Sequence, residues 1–166
     1  MTVLDQIVAR TRERLRDEAK PDRRAAEEAC QLRTPFAFRT ALEREGVNVI
    51  AEIKSASPSA GSIVDDPDVE SIARDYARGG AAALSIVTEP EFFRGSRDWI
   101  ARAKTAASLP VVMKDFVVEP SQIVRGIAAG ASMMATKSRI SAASSTDASS
   151  RIASAPAAMP RTICDG

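Results

Sequence analysis

The spacing of hydrophobic and polar positions changes within the first third of the chain. Residues 1–48 carry apolar positions at helical spacing, beginning with the stripe over residues 3–9. Thr34 and Pro35 are typical of the N-cap and first position of a second helix, which Gly46 would end. The sequence therefore predicts an N-terminal extension of two helices over residues 1–48.

From residue 49 onward, apolar strands alternate with amphipathic helices. The predicted strands cover residues 49–54, 82–87 and 109–114, and the helices that follow them begin at Asp66-Pro67, Ser96 and Pro120. Repeats of about thirty residues predict parallel βαβ units with right-handed crossovers. We therefore predict an α/β fold with three βα units over residues 49–131.

The strand and helix pattern ends after Ala131. Beyond Thr136 the sizeable hydrophobic residues have no useful period, and they are Ile140, Ile152, Met159 and Ile163. Such a segment cannot bury enough apolar surface to offset the entropy of ordering it. We predict that residues 132–166 form a disordered, Ala/Ser-rich tail, or alternatively that they result from a frameshift in a GC-rich gene.

Length and charge restrict the classes of function. The chain has 166 residues, with 23 basic and 22 acidic side chains and a net charge of +1. Its overall electrostatic field therefore does not favour binding to nucleic acid or to an anionic membrane. In the basic-looking run 10–24, acidic residues interleave with the arginines, as on a solvated helix face. No apolar stretch approaches the ~20 residues of a membrane span, and we expect no signal peptide.

Cysteine and histidine usage restricts the possible chemistry further. Cys30 and Cys164 are the two cysteines, and their spacing suits neither a disulfide framework nor a zinc site. This usage is typical of a reducing cytoplasm. Because the chain has no histidine, acid–base chemistry would have to use Lys, Glu or Asp.

The end of the first predicted strand carries two opposite charges. Glu52 and Lys54 are two residues apart and so share one face of the strand. Buried parallel strands are normally continuous apolar runs, but inward residues at the carboxyl ends of barrel strands form active sites. The Ser/Pro/Gly loop over residues 57–61 could present hydroxyl and N–H groups to an anion. The alternative is a structural ion pair at a strand end.

Three motifs follow one another in order: EIK with SPS-x-G over residues 52–61, FFRGS over 92–96 and KDF over 114–116. With these motifs, roughly residues 1–131 resemble the indole-3-glycerol-phosphate synthase family of tryptophan biosynthesis. The resemblance implies a TIM (β/α)8 barrel, here truncated, because a complete one needs about 250 residues. It also implies decarboxylating ring closure of 1-(2-carboxyphenylamino)-1-deoxyribulose 5-phosphate to indole-3-glycerol phosphate.

For that reaction the resemblance implies no metal and no cofactor, and a small anionic substrate with a carboxylate and a sugar phosphate. Lys114 matches the lysine that protonates the substrate carbonyl inside the barrel; a solvent-facing lysine paired to Asp115 is the alternative. Lys54 matches a second lysine that binds the acidic substrate and assists later proton transfer. Glu52 would orient the lysines or act as a base. The substrate-binding residues implied by the resemblance are Ser57, Phe93 and Phe116.

Other site residues of the family, on later strands and loops, have no counterpart after Ala131. We therefore expect that the chain does not complete the reaction alone. A non-catalytic barrel fragment is one alternative. Another phosphate-binding barrel, such as phosphoribosylanthranilate isomerase, is a second, although the N-terminal helices and the motifs count against it.

Overall fold

The computed structural model describes residues 1–32 and 34–136, and its first part is helical. Three helices precede the main sheet: α1 (Val3–Asp17), α2 (Arg23–Leu32) and α3 (Ala37–Leu42). A capping box begins α1, because the Thr2 hydroxyl accepts from the backbone N–H of Asp5 and the Asp5 carboxylate accepts from that of Thr2.

The predicted two-helix extension is therefore wrong in two respects. The charged, alanine-rich segment between the predicted helices forms α2, which buries Ala26 and Cys30 in the core. Alanine and glutamate favour helix, and this packing adds the tertiary support that a short helix needs. Helix α3 begins after Phe36, which has a φ of 56° and gives no side-chain cap, so Thr34 does not cap it.

Four parallel strands form the main sheet, joined by helices. The strands are β1 (Ile50–Ile53), β4 (Ala83–Val87), β5 (Val111–Asp115) and β6 (Met133–Thr136), and β2 (Ala56–Ser57) and β3 (Gly61–Ser62) form a hairpin after β1. The helices are α4 (Val69–Arg78), α5 (Asp98–Ala107) and α6 (Pro120–Ala128). The sheet order is β1-β4-β5-β6. This alternation confirms the predicted α/β fold of a truncated barrel.

Among the described residues, the main sheet contains one strand more than the three predicted. Strand β6 pairs in parallel with β5, with Val112 opposite Met133 and Asp115 opposite Thr136. The sequence SMMAT predicts a strand only weakly, because it contains one β-branched residue. The strand is stabilised instead by packing, since the flexible side chain of Met134 fills space beside α6. The barrel pattern thus extends past the predicted boundary at Ala131. The rest of the predicted tail, residues 137–166, lies outside the described residues.

Two clusters of buried side chains pack on the sheet. The larger one joins the strands to the connecting helices and includes Leu84, Ile86, Val69, Ile100 and Ile127. The smaller one contains Phe38 of α3 with Ala83 and Val112, and Leu42 packs against it. Since side chains alternate along a strand, Ala83 and Leu84 face opposite sides. Helix α3 therefore covers the face opposite the connecting helices, near the amino ends of the strands.

Candidate active site

Three charged side chains meet at the carboxyl ends of β1 and β5. The Glu52 carboxylate lies between two lysines: Lys114 Nζ is 2.6 Å from its Oε2, and Lys54 Nζ is 3.2 Å from its Oε1. The spacing of Glu52 and Lys54 predicts a shared face, and this contact agrees with it. The arrangement brings together the three residues that the resemblance singled out as catalytic.

Strand β4 separates the two lysine-bearing elements, and its sequence lets the cluster form. Glu52 lies opposite Ser85 of β4 in the register of the sheet, and Lys114 lies opposite Val87. Ser85 is small, and its hydroxyl approaches Glu52 Oε2 at 3.5 Å. Because Lys114 is long and Ser85 is short, the ammonium group reaches across one strand to the carboxylate.

The alternative pairing of Lys114 with Asp115 is absent among the described residues. Asp115 is buried on the other side of the strand, where it accepts from the Thr88 hydroxyl at 2.8 Å and from the backbone N–H of Phe116 at 2.7 Å. The Lys114 side chain lies on the same face of β5 as Val112, which α3 covers, and it is 52% exposed in the described part of the chain. The described strands surround it on one side alone.

The charge state of Glu52 follows from its surroundings. Desolvation is the largest single influence and raises its pKa, but the hydrogen bonds and charges of Lys114 and Lys54 together outweigh it and lower the pKa of Glu52 below the ordinary value of 4.5. The carboxylate is therefore ionised at neutral pH. The two ammonium groups beside this carboxylate can bind an anionic ligand. They also place a proton donor next to a proton acceptor, as acid–base chemistry requires.

The lowered pKa of Glu52 makes a pH-dependent contribution to stability. A carboxylate whose pKa is lower in the folded state stabilises the fold above its unfolded pKa, and the contribution disappears as the pH falls through the folded value. We expect the unfolding free energies of the wild type and Glu52→Gln to differ above the ordinary pKa of 4.5 and to converge below it. Urea titrations between neutral and acidic pH measure this difference.

The matched control for this titration is Glu43→Gln, which removes an exposed carboxylate that pairs with Arg39 on α3. Its difference from the wild type should be small at every pH, because exposed ion pairs contribute little. A Glu52→Gln difference that stayed constant down to the acid limit would contradict the assignment of the lowered pKa to this cluster.

Ser57 lies in the hairpin that follows β1, and its hydrogen bonds remain within that loop. Its hydroxyl accepts from the backbone N–H of Ala60 at 3.1 Å and lies 3.3 Å from the Ser59 hydroxyl. The side chain is buried. In the described structure Ser57 thus stabilises the turn of the loop, and its hydrogen bonds do not join it to the lysine–glutamate cluster.

Phe93 and Phe116 form an aromatic pair at the same edge of the sheet. Their ring centroids are 5.8 Å apart, with an angle of 39° between the ring planes, a tilted geometry that aromatic pairs favour. Phe93 follows β4, and Phe116 is two residues beyond Lys114. The backbone N–H of Ala56 donates to the Phe93 carbonyl at 3.1 Å, so the pair is tied to the loop after β1.

Sequence reasoning missed Glu89 and Arg14. Glu89 is 1% exposed and lies two residues after β4, and Arg14 of α1 pairs with it at 3.6 Å. Charged residues at the carboxyl end of an apolar strand are the signal that singled out Glu52 and Lys54, and Glu89, two residues after β4, could have been found by the same rule. Arg14 gave no such signal, and the expectation of a fully solvated charged face on α1 is wrong at this position.

Gly95 closes the loop between β4 and α5. A Cβ atom at this position would lie 2.1 Å from the carbonyl oxygen of Val87, a backbone atom that cannot move aside without shifting β4. We expect Gly95→Ala to lower the unfolding free energy by about 1–3 kcal/mol, as measured by urea denaturation. Gly79→Ala is the control, since its Cβ would be 3.4 Å from the nearest atom; equal losses in both variants would contradict the argument.

Two further observations bear on the class of site. Within residues 1–32 and 34–136, no group of three or more His, Cys, Asp or Glu residues is placed to hold a metal ion. In the same part of the chain, no helix is both long enough and apolar enough to cross a membrane.

Parallel βα units with charged residues gathered at the carboxyl ends of their strands define a protein of the (β/α)-barrel class. The family model described as indole-3-glycerol phosphate synthase matches residues 4–136, which includes β6. The chain therefore belongs to the indole-3-glycerol phosphate synthase family.

Curated relatives carry the same name. The indole-3-glycerol phosphate synthase of Rhodopirellula baltica is 41% identical over 134 residues, which is 79% of this chain and 52% of that protein. That of Carboxydothermus hydrogenoformans is 41% identical over 138 residues, covering 77% and 52%, and that of Methanopyrus kandleri is 43% identical over 122 residues, covering 72% and 46%. The chain thus spans about half the length of the curated relatives that it matches. These matches favour the synthase over the isomerase alternative.

Proposed function

We propose that this chain carries part of the acid–base machinery of an indole-3-glycerol phosphate synthase. The reaction converts 1-(2-carboxyphenylamino)-1-deoxyribulose 5-phosphate to indole-3-glycerol phosphate, carbon dioxide and water. The observation that carries the proposal is the cluster in which Glu52 joins Lys54 and Lys114 at the carboxyl ends of the strands. The two ammonium groups supply the proton donors and cations that this reaction needs, and the carboxylate supplies the acceptor. The chain has no histidine that could take these roles.

In this proposal Lys114 is the general acid. Its ammonium group donates a proton to the substrate ketone oxygen while the aromatic ring carbon attacks the carbonyl carbon and a carbon–carbon bond forms. Loss of the ring carboxylate as carbon dioxide restores the aromatic ring. The new hydroxyl group, once protonated, then leaves as water, and the adjacent CH2 carbon attached to nitrogen loses a proton to a base, which forms the double bond of the indole. Glu52, 2.6 Å from the Lys114 ammonium, orients that group through a charge-assisted hydrogen bond.

The neighbouring residues bind the substrate. Lys54 attracts its carboxylate and assists the later proton transfer, and Glu52 orients both lysines or accepts a proton. Phe93 and Phe116 form a wall for the aryl ring, which their 5.8 Å pairing supports. Ser57 contacts the anionic substrate through its hydroxyl, which also accepts from the backbone N–H of Ala60 and so supports the loop.

Formation of indole-3-glycerol phosphate tests the proposal directly. The relatives are about twice as long, so the chain is assayed alone and with the remaining half of a family member. We expect product in the mixture and little from the chain alone. Absence of product in both samples, together with no calorimetric binding of indole-3-glycerol phosphate, would contradict the proposal and favour a non-catalytic barrel fragment.

Other expectations from the sequence stay predictions. They are a cytoplasmic location, suggested by the cysteine usage, and no affinity for nucleic acid, suggested by the net charge of +1. Localisation of a tagged chain and a filter-binding assay with duplex DNA would test them.

A further inference from the structure

Glu89 is a buried carboxylate that the proposed chemistry does not use. Its side chain is 1% exposed, and burial of a charge requires compensating partners. Three backbone N–H groups supply them: Glu91 donates to Oε1 at 3.1 Å, and Phe92 and Phe93 donate to Oε2 at 2.6 and 3.0 Å. The carboxylate therefore holds three successive amides of one loop.

The loop that Glu89 holds is the one that carries the aryl-binding wall. Neither Phe92 nor Phe93 belongs to either of the two core clusters, so apolar packing in the core does not fix the loop. The backbone of Phe93 is instead held at both of its polar groups, because its N–H donates to Glu89 and its carbonyl accepts from the N–H of Ala56. The position of the Phe93 ring against Phe116 thus depends on a polar clamp.

Helix α1 contacts the same loop through two arginines. Arg14 Nη1 lies 3.6 Å from Glu89 Oε1, and Arg10 Nε lies 3.1 Å from Glu91 Oε2. The two arginines are four residues apart and so share one face of the helix. Arg14 Nη1 is buried and has no hydrogen-bond partner in the described part of the chain, so Arg14 acts on Glu89 through its charge.

We propose that Glu89 is a positioning residue that fixes Phe93 in the candidate site, and that Arg14 couples this loop to the N-terminal helix α1. The proposal rests on the proposed function in one respect, namely that Phe93 contacts the aryl ring of the ligand. The clamp itself is a property of the folded chain and can be measured without any ligand.

Amide hydrogen exchange of the full chain, followed by NMR, tests the clamp. Glu89→Gln removes the negative charge and one of the two acceptor oxygens. The remaining hydrogen bonds to a neutral amide oxygen are weaker, so the protection of the Phe92 and Phe93 amides should fall by about tenfold or more. Amides in β4 and β5 should keep their protection. The matched control is Glu91→Gln, which removes a nearby carboxylate but leaves the three loop hydrogen bonds in place.

Arg14 provides a second variant if Glu89→Gln does not fold. Arg14→Gln should lower the protection of the same two amides, and Arg14→Lys, which keeps the charge, should restore it at least in part. Unchanged protection of Phe92 and Phe93 in both uncharged variants would overturn the proposal. An equal fall throughout β4 and β5 would also overturn it, because Glu89 would then act on the stability of the whole fold.

Binding of indole-3-glycerol phosphate separates this proposal from the proposed function. If the wild type binds this probe, the dissociation constant should rise by about tenfold in Glu89→Gln and stay unchanged in Glu91→Gln. An unchanged constant in Glu89→Gln would overturn the link to the site. If the wild type does not bind and the mixture with the remaining half of a family member forms no product, the proposed function fails, whereas the exchange experiment still decides whether Glu89 holds the loop.

Discussion

Replacement of Lys114 by methionine should lower the rate of indole-3-glycerol phosphate formation by about 10²–10⁴-fold, the usual contribution of a general acid. Methionine keeps much of the length and apolar character of the lysine stem but cannot donate a proton. Among the described residues, it also leaves Glu52 with Lys54 as its one close cation. The measurement is the turnover number at saturating substrate, under the conditions in which the wild-type chain forms product.

Lys20→Met is the matched control for this prediction. Lys20 is an exposed lysine between α1 and α2, so its replacement makes the same chemical change away from the site and should leave the rate unchanged. The unfolding free energy of Lys114→Met at neutral pH should fall by no more than that of Glu52→Gln, because Lys54 still pairs with Glu52 and the Lys114 side chain is half exposed. Equal rates for the two variants would exclude Lys114 as the proton donor.

Replacement of Phe38 by alanine should lower the unfolding free energy by about 3–5 kcal/mol, the usual loss for a buried phenylalanine. Its side chain is 4% exposed and packs between α3 and the strands, against Ala83 and Val112. Alanine would leave a cavity there, since the strand backbones cannot close over it. Urea denaturation, monitored by circular dichroism, measures the loss.

Phe36→Ala is the corresponding control, because Phe36 is 61% exposed just before the same helix. Its unfolding free energy should stay within about 0.5 kcal/mol of the wild type. If the two variants lost equal stability, α3 would not be the element that closes this face of the sheet.

Together the predictions assign two tasks to the N-terminal helices. Helix α3 covers the amino ends of the strands through Phe38, while α1 contacts the loop after β4 through Arg10 and Arg14. The first task concerns stability and the second concerns the geometry of the candidate site. The two are separable by experiment, because Phe38→Ala acts on global unfolding and Arg14→Gln acts on two loop amides.

The sequence by itself determined the α/β class, the strand–helix alternation and the place of the charged residues. These follow from local rules: side chains two apart on a strand share a face, so Glu52 and Lys54 had to lie together, and apolar runs between helix signals predict parallel strands. Family motifs added Lys114. Such features depend on short spacings along the chain.

The tertiary structure alone decided which elements complete the fold and what surrounds the site. Helix α2 and strand β6 have weak local signals and form because they bury Ala26 and Met134 against other elements. The contact of Lys114 with Glu52 joins residues 62 positions apart, and it requires the register of β4 between them. The contact of Arg14 with Glu89 joins residues even further apart in the sequence. Local spacing cannot specify such contacts, because their free energy arises only when distant segments pack together.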